Sequence, residues 1–280
     1  MLKIALCVKQ VPDTSNIKWT ENNTMQREGV ESIINPYDVY AAEFALNIKE
    51  KLNNEVEITA FTMGPIQAQE MLKKLIAIGV DEGVLISDKK FAGSDTYATG
   101  KTLAASIKSV IPDFDLIICG QFAIDGDTAQ TGPCIASFLN IPQITYVKNF
   151  ENINEKSITL IRELDEGIEK VEVNYPALIC VLQDVFEPRR PLINGIKFAQ
   201  NKQIKILTQE DINLAAEECG LKGSPTYVSK AFRNMPNHNA KIYQLSIDES
   251  IKLFTKKFEE FCHSEQDIEP SLFNKEDNHA

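Results

Sequence analysis

Short apolar runs and stretches of helical apolar spacing alternate along the first half of the chain. Lys3 to Val8, Val56 to Met63 and Gly83 to Ser87 read as strands, and the apolar run at Asp115 to Cys119 as a parallel strand covered on both faces. Between them, apolar residues recur at helical spacing over about Val39 to Leu52 and Ile66 to Ile78, where Met71, Leu72, Leu75 and Ile76 make an inward stripe. A third helix runs to about Val110 with Asp95 or Thr96 as its cap, and a fourth begins at Cys134. Asn35 precedes Pro36 and is therefore extended or turn-like, so the first helix starts there. Strand, loop and helix in repetition predict an α/β fold with an open parallel sheet and right-handed crossovers.

The pattern changes after residue 143. Ile144 to Val147, Ser157 to Ile161 and Val171 to Val173 alternate between apolar and polar, which predicts antiparallel strands at a sheet edge; Ala177 to Leu182 reads as one more buried strand. A proline-bounded loop, 187–196, carries Leu192, Ile193 and Ile196 and either tucks onto the core or meets a partner. On this reading residues 1–199 form one α/β domain. Residues 200–280 form an extended C-terminal arm with a turn at Gly223 to Pro225 and a late amphipathic helix over about Asp248 to Cys262. The acidic end, 265–280, reads as disordered, and Thr14 to Gly29 as a surface hairpin or loop.

The chemistry concentrates in Gly120 to Pro133, a loop of small and hydroxyl residues between a buried strand and a helix start. Unpaired N–H groups and the helix dipole make such a place an anion site. Thr128 and Thr131 supply hydroxyls, and Gly126 and Gly132 admit close approach of a ligand to backbone. The competing reading is a helix capped by Asp127 or Thr128 that binds nothing. In parallel sheets ligands sit beyond the carboxyl ends of the strands, where the turns at Cys7 to Lys9, Met63 to Gly64, Asp95 to Thr99 and Gly120 to Pro133 converge, joined by Asn35.

Charge and composition narrow the field. A net charge of −11 argues against nucleic acid and against an anionic membrane surface. No apolar window has the length of a membrane span and the N-terminus lacks a secretory pattern, so a cytoplasmic protein is expected. The six cysteines include no Cys-x-x-Cys pair, and His238, His263 and His279 all fall in the last fifth of the chain. Zinc and iron–sulfur spacings are thereby absent, and a Cys-His or Ser-His nucleophile in the main domain is excluded. Neither Gly-x-Gly-x-x-Gly nor a Walker A motif occurs, which counts against an ATP-cleaving enzyme of similar topology.

The segments Val8 to Asp13, Asn35 to Asp38, Met63 to Pro65, Ala123 to Gly132 and Glu187 to Arg189 occur in an order that resembles the smaller, β subunit of the electron-transferring flavoproteins. The resemblance runs from the first strand to Thr226 and fades over the last fifty or so residues. It implies a Rossmann-like, adenine-nucleotide-binding fold and an electron carrier that pairs with an α subunit. In simpler members the crevice holds AMP as a structural ligand; in electron-bifurcating members it holds FAD, which takes a hydride from NADH and sends its electrons along separate routes.

Carried onto this chain, the cofactor-binding residues are Cys7, Asn35, Met63, Ala123, Asp125, Gly126, Asp127, Thr128, Gln130, Thr131 and Gly132, with Asp95, Thr96 and Thr99 towards the flavin end. Gly126, in place of a carboxylate, and the segment Ala92 to Thr99 resemble the bifurcating type and favour FAD over AMP. The loop 187–196 corresponds to a recognition loop that meets an acyl-CoA-type or other flavin dehydrogenase, with Ile193 at the anchor position. Arg190 to Leu192 departs from the family pattern there, which leaves the partner's identity open. A non-redox AMP-binding module remains the alternative from another functional class.

Overall fold

The computed structural model describes residues 1–13, 32–229 and 241–265, so the segment Thr14 to Gly29 and the end of the acidic tail lie outside the described residues. The chain forms two compact units, Met1–Arg233 and Asn234–Ala280.

In the first unit, β1 (Leu2–Cys7) leads through a small antiparallel ladder of β2 (Gln10–Pro12) and β3 (Ser32–Ile34) to α1 (Pro36–Lys51). There follow β4 (Val56–Met63), a 3-10 turn and α2 (Gln69–Ala77), then β5 (Glu82–Ile86), α3 (Thr96–Val110) and β6 (Leu116–Gly120). Next come α4 (Thr131–Leu139), β7 (Gln143–Ile153), β8 (Ser157–Leu164), β9 (Gly167–Asn174), β10 (Ala177–Val181), α5 (Ile193–Asn201) and β11 (Lys205–Leu207). The sheet order is β11-β5-β4-β1-β6-β10-β7-β8-β9. Neighbours from β11 through β7 pair in parallel, and β7-β8-β9 continue antiparallel.

Alternation along the strands explains the layering. Ile4 and Leu6 face a core shared with α1 and α2, while Ala5 and Cys7 face a second core shared with α3 and α4. The chain winds outward from β1 through β4 to β5, then returns to β6 on the other side of β1. That reversal is a topological switch point, and it opens a crevice beyond the carboxyl ends of β1 and β6. One glycine contact elsewhere shows how tightly the layers pack: a Cβ on Gly195 of α5 would lie 2.2 Å from the Ala77 carbonyl oxygen of α2.

The α/β fold with antiparallel edge strands is as the apolar pattern predicts. Two features go beyond that pattern. The first unit extends past residue 199 to Arg233, because β11 adds a strand beside β5 and Leu207, Ile212 and Cys219 are buried in the α3–α4 core. Three strand residues and scattered apolar positions carry too little periodicity to announce this. Second, the loop 187–196 is helical from Ile193 onward.

In the second unit α6 (Ile247–Glu265) matches the expected late helix, with Ile251, Phe254 and Phe258 exposed and the two phenylalanine rings stacked 6.1 Å apart. No described helix is long and apolar enough to cross a membrane.

Candidate functional site

The crevice is organised by the first turn of α1. Asn35 stays out of the helical region (φ −51°, ψ 127°), as the following proline demands, and Pro36 opens the helix. This places two buried side chains, Asn35 and Asp38, between the loops that follow β1 and β6. Asn35 Nδ2 donates to the Phe122 carbonyl (2.7 Å), its Oδ1 accepts from the Ile124 N–H (3.2 Å), and its own N–H donates to the Lys9 carbonyl (2.9 Å). Asp38 accepts from the Lys9 N–H (2.6 Å) on one oxygen and from the Gly120 N–H (3.1 Å) on the other. Gly120 has to be glycine, because an added Cβ would lie 2.4 Å from Asp38 Oδ1. Burial pushes the Asp38 carboxyl up to about 7, against the pull of its N–H bonds and the Lys9 charge. The Lys9 ammonium itself pairs with Asp125 at 2.6 Å, which offsets one carboxylate at the mouth of the site.

Beyond Phe122 the loop turns on the Ala123 carbonyl, which accepts from the N–H groups of Gly126 (3.1 Å) and Asp127 (2.7 Å). Asp127 and Ala129 both have positive φ, 50° and 53°, an uncommon state for alanine. Gln130 precedes α4 and makes no side-chain cap, so the self-capped helix is not what forms. The N–H groups of five successive residues, Thr128 to Gly132, meet no acceptor among the described residues. Left-handed turns of this kind gather N–H groups into an anion-binding concavity, and the α4 dipole adds to it.

The two loop glycines differ. A Cβ on Gly126 would meet nothing within 4 Å, whereas one on Gly132 would lie 2.6 Å from Cys180 Sγ and 3.0 Å from Cys119 Sγ. Gly126 therefore leaves room outside the protein, while Gly132 lets α4 sit directly on the sheet. Cys7, Cys119 and Cys180 lie in register on β1, β6 and β10. Burial raises the Cys7 thiol, and Cys119, 3.6 Å from Cys180, is raised by that contact and by burial. These thiols are packing groups, and no cluster of His, Cys, Asp or Glu among the described residues could hold a metal ion.

The remaining expected residues fall as follows. Thr96 Oγ1 donates to Gln130 Oε1 (2.9 Å), which ties the start of α3 to the loop, and Thr99 lies half-buried one turn on. The Asp95 carboxylate is committed elsewhere: it caps α3 through the Ala98 N–H (2.9 Å) and holds the N–H and hydroxyl of Thr226 at 2.9 and 2.7 Å. Met63 ends β4, half-buried against the α3–α4 core. The described bonds thus link Lys9, Asn35, Asp38, Thr96 and the loop.

Leu192, Ile193 and Ile196 lie apart from the crevice, on the segment that leads into α5 and packs on α2, with Leu192 and Ile193 77% and 73% exposed. Arg189 anchors that segment, binding buried Glu43 through Nε and the 2.7 Å Nη2 contact and reaching Glu50 at 2.6 Å. A cavity of about 930 Å³ opens here, lined by Ile76, Gly79, Arg189, Leu192, Phe198 and Lys202.

Sequence reasoning treats Asp38 only as a helix initiator and misses its bridge, as it misses the Lys9–Asp125 and Arg189–Glu43 pairs. The spacing of Asn35 and Asp38 around a proline was the available signal for the first; the ion pairs join residues more than a hundred positions apart and leave none.

A family model for the electron transfer flavoprotein domain matches residues 22–212. The chain is 45% identical over 232 residues to the caffeyl-CoA reductase-Etf complex subunit CarD of Acetobacterium woodii, covering 82% of this chain and 87% of that one. It is 43% identical over 253 residues to the electron transfer flavoprotein subunit beta of Thermoanaerobacterium thermosaccharolyticum, covering 90% and 95%. The acryloyl-CoA reductase electron transfer subunit gamma of Anaerotignum propionicum is 41% identical over 238 residues, covering 82% and 88%.

Proposed function

The chain belongs to the electron transfer flavoprotein family as a β-type subunit, and from that premise we propose that it holds FAD in the crevice and works in an NADH-oxidising, bifurcating complex. The observation that carries the proposal is the run of five unpaired N–H groups, Thr128 to Gly132, at an uncapped helix start. Such a run suits the diphosphate of a dinucleotide. Bound there, FAD supplies the exchange of a hydride from NADH for two single electrons.

The protein's own groups bind and orient. Asn35 and Asp38 fix the two loops, and Lys9 offsets Asp125 beside the anion site. Gly126 leaves open space where a carboxylate would repel the phosphates, and Thr96 bonds Gln130 at the far end of the loop, with Thr99 one turn on in α3. The names of the relatives, one from a caffeyl-CoA reductase-Etf complex and one from an acryloyl-CoA reductase, support an acyl-CoA-type reductase or dehydrogenase as the electron partner. We assign its docking to Leu192, Ile193 and Ile196, and the embrace of an α subunit to the part of the C-terminal arm beyond the first unit, residues 234–280.

The test is denaturing extraction of the purified heterodimer with mass identification of the released nucleotides. Two FAD per heterodimer support the reading. One FAD with one AMP would replace it with a simple carrier holding a structural nucleotide, and AMP without any flavin would leave a non-redox module.

A further inference from the structure

We propose that Tyr146 is a cofactor-binding residue of the crevice, offering its ring to the planar heteroaromatic ring of the bound nucleotide. The inference rests on the reading that the crevice binds a nucleotide, and deepens it.

The backbone around Tyr146 is arranged at a cost that packing does not explain. β7 pairs with β10 through Ile144 opposite Ile179 and Val147 opposite Val181. Two residues on β7, Thr145 and Tyr146, therefore oppose the single Cys180. The extra residue is a bulge, a device that redirects a side chain beside a site. Tyr146 takes it up with a φ of +59°, a conformation that bulky side chains avoid. Its N–H accordingly leaves the ladder and is received by Gln121 Oε1 at 2.7 Å. Gln121 is buried, and its own N–H is fixed to the Val181 carbonyl (2.8 Å). A buried amide from the nucleotide loop is thus dedicated to holding one strained tyrosine.

The tyrosine so held remains 40% exposed. It lies at the carboxyl edge of the sheet, since Val181 is in register with both Gly120 and Val147. It also belongs to an aromatic row: Tyr146 meets Phe122 edge-on at 6.1 Å, and Phe122 meets Tyr37 edge-on at 5.4 Å. Phe122 is the residue whose carbonyl Asn35 grips, so the row is continuous with the crevice frame. Exposed aromatic rings on a rigid frame are stacking platforms for bases and for other fused heteroaromatic rings. The ligand class is therefore the adenine or the isoalloxazine of the cofactor.

Wild type, Tyr146→Phe and Tyr146→Leu, each produced with the α-type subunit, are stripped of nucleotide and titrated with AMP and with FAD by calorimetry. Thermal unfolding without ligand is the control. FAD binding weakens roughly tenfold in Tyr146→Leu, stays within about twofold in Tyr146→Phe, and the ligand-free melting temperature holds. A parallel loss of AMP affinity assigns the ring to the adenine, and a loss confined to FAD assigns it to the isoalloxazine.

Tyr146→Leu binding both ligands as tightly as wild type overturns the proposal while leaving the nucleotide site standing. Wild type binding neither ligand overturns the crevice reading itself. Should the leucine variant fail to assemble, Tyr146→Trp gives an independent readout. Its added emission is quenched when FAD or AMP binds, and unchanged emission overturns the proposal.

Discussion

Replacing Asp38 by asparagine tests the frame of the crevice without emptying it. The carboxylate bridges the Lys9 and Gly120 N–H groups in a fully enclosed position, and burial raises its pKa from an ordinary 3.8 to about 7. The folded protein therefore binds this proton more tightly than the unfolded chain. For a group raised in the folded state, its stabilising contribution is complete below pH 3.8 and is lost as the pH climbs through 7. The interval corresponds to about 4 kcal/mol at 1.36 kcal/mol for each step of ten in proton affinity. The asparagine keeps one acceptor and does not titrate.

The quantity to follow is the difference in unfolding free energy between wild type and Asp38→Asn, by urea denaturation with far-ultraviolet circular dichroism at intervals from pH 4 to pH 8. Groups common to both proteins cancel, and those acting on the carboxylate are Lys9, Asn35 and Gly120. Wild type should lose about 4 kcal/mol relative to the variant across that range, most of it between pH 4 and 7. A difference that stays flat within about 0.5 kcal/mol would refute the reasoning. It would mean that the two N–H bonds fully offset burial, and that the carboxylate is ionised throughout.

Other outcomes follow from the same geometry. Gly126→Ala, with open space at its Cβ, should change stability by less than about 0.5 kcal/mol yet weaken nucleotide binding in a titration; Gly132→Ala, pressed onto two sulfurs, should cost about 1–3 kcal/mol by chemical denaturation. Arg189→Met leaves Glu43 buried without its cation; with the Arg189 side chain 29% exposed, a loss of about 2 kcal/mol is expected, below that of a fully buried pair. Arg189 holds the Glu43 carboxyl below its ordinary 4.5 despite burial, so the wild-type advantage is complete above that pH and is lost as the pH falls through the lowered value. Leu192→Ser, on an exposed side chain, should leave the melting temperature unchanged and lower the rate of electron delivery to the partner in a reduction assay.

The strands and helices of the sheet were legible because both covered faces impose apolar runs, as in Leu116 to Cys119, and because Pro36, Asp95 and Gly79 punctuate them. The junction at Gly120 to Pro133 was legible for a different reason: small and hydroxyl residues between a strand and a helix mark a turn into a helix start, which suits an anion or a plain cap alike. What stayed hidden is whatever depends on distant pairing. β11 is too short to show periodicity, and its place beside β5 is settled by three parallel pairs. Tyr146 sits in an ordinary-looking strand, and only the extra residue opposite Cys180 reveals its φ. Asn35 was expected at the crevice, but that its amide joins Phe122 to Ile124 is a pairing that residue type alone does not encode.

The bridge from Asp38 has a consequence for the order of folding. It joins the turn after β1, the start of α1 and the end of β6, and its span from Asp38 to Gly120 is 82 residues. Closing so long a loop carries an entropy cost that local strand–helix contacts do not, so the bridge is expected to form after them. β6 must already lie beside β1 before Asn35 and Asp38 can grip it. On the proposed function, an incompletely folded chain has no crevice to offer, and a nucleotide would enter last. A ligand bound by the folded form alone stabilises only that form, so on this reading cofactor supply during synthesis should govern how much of this subunit accumulates.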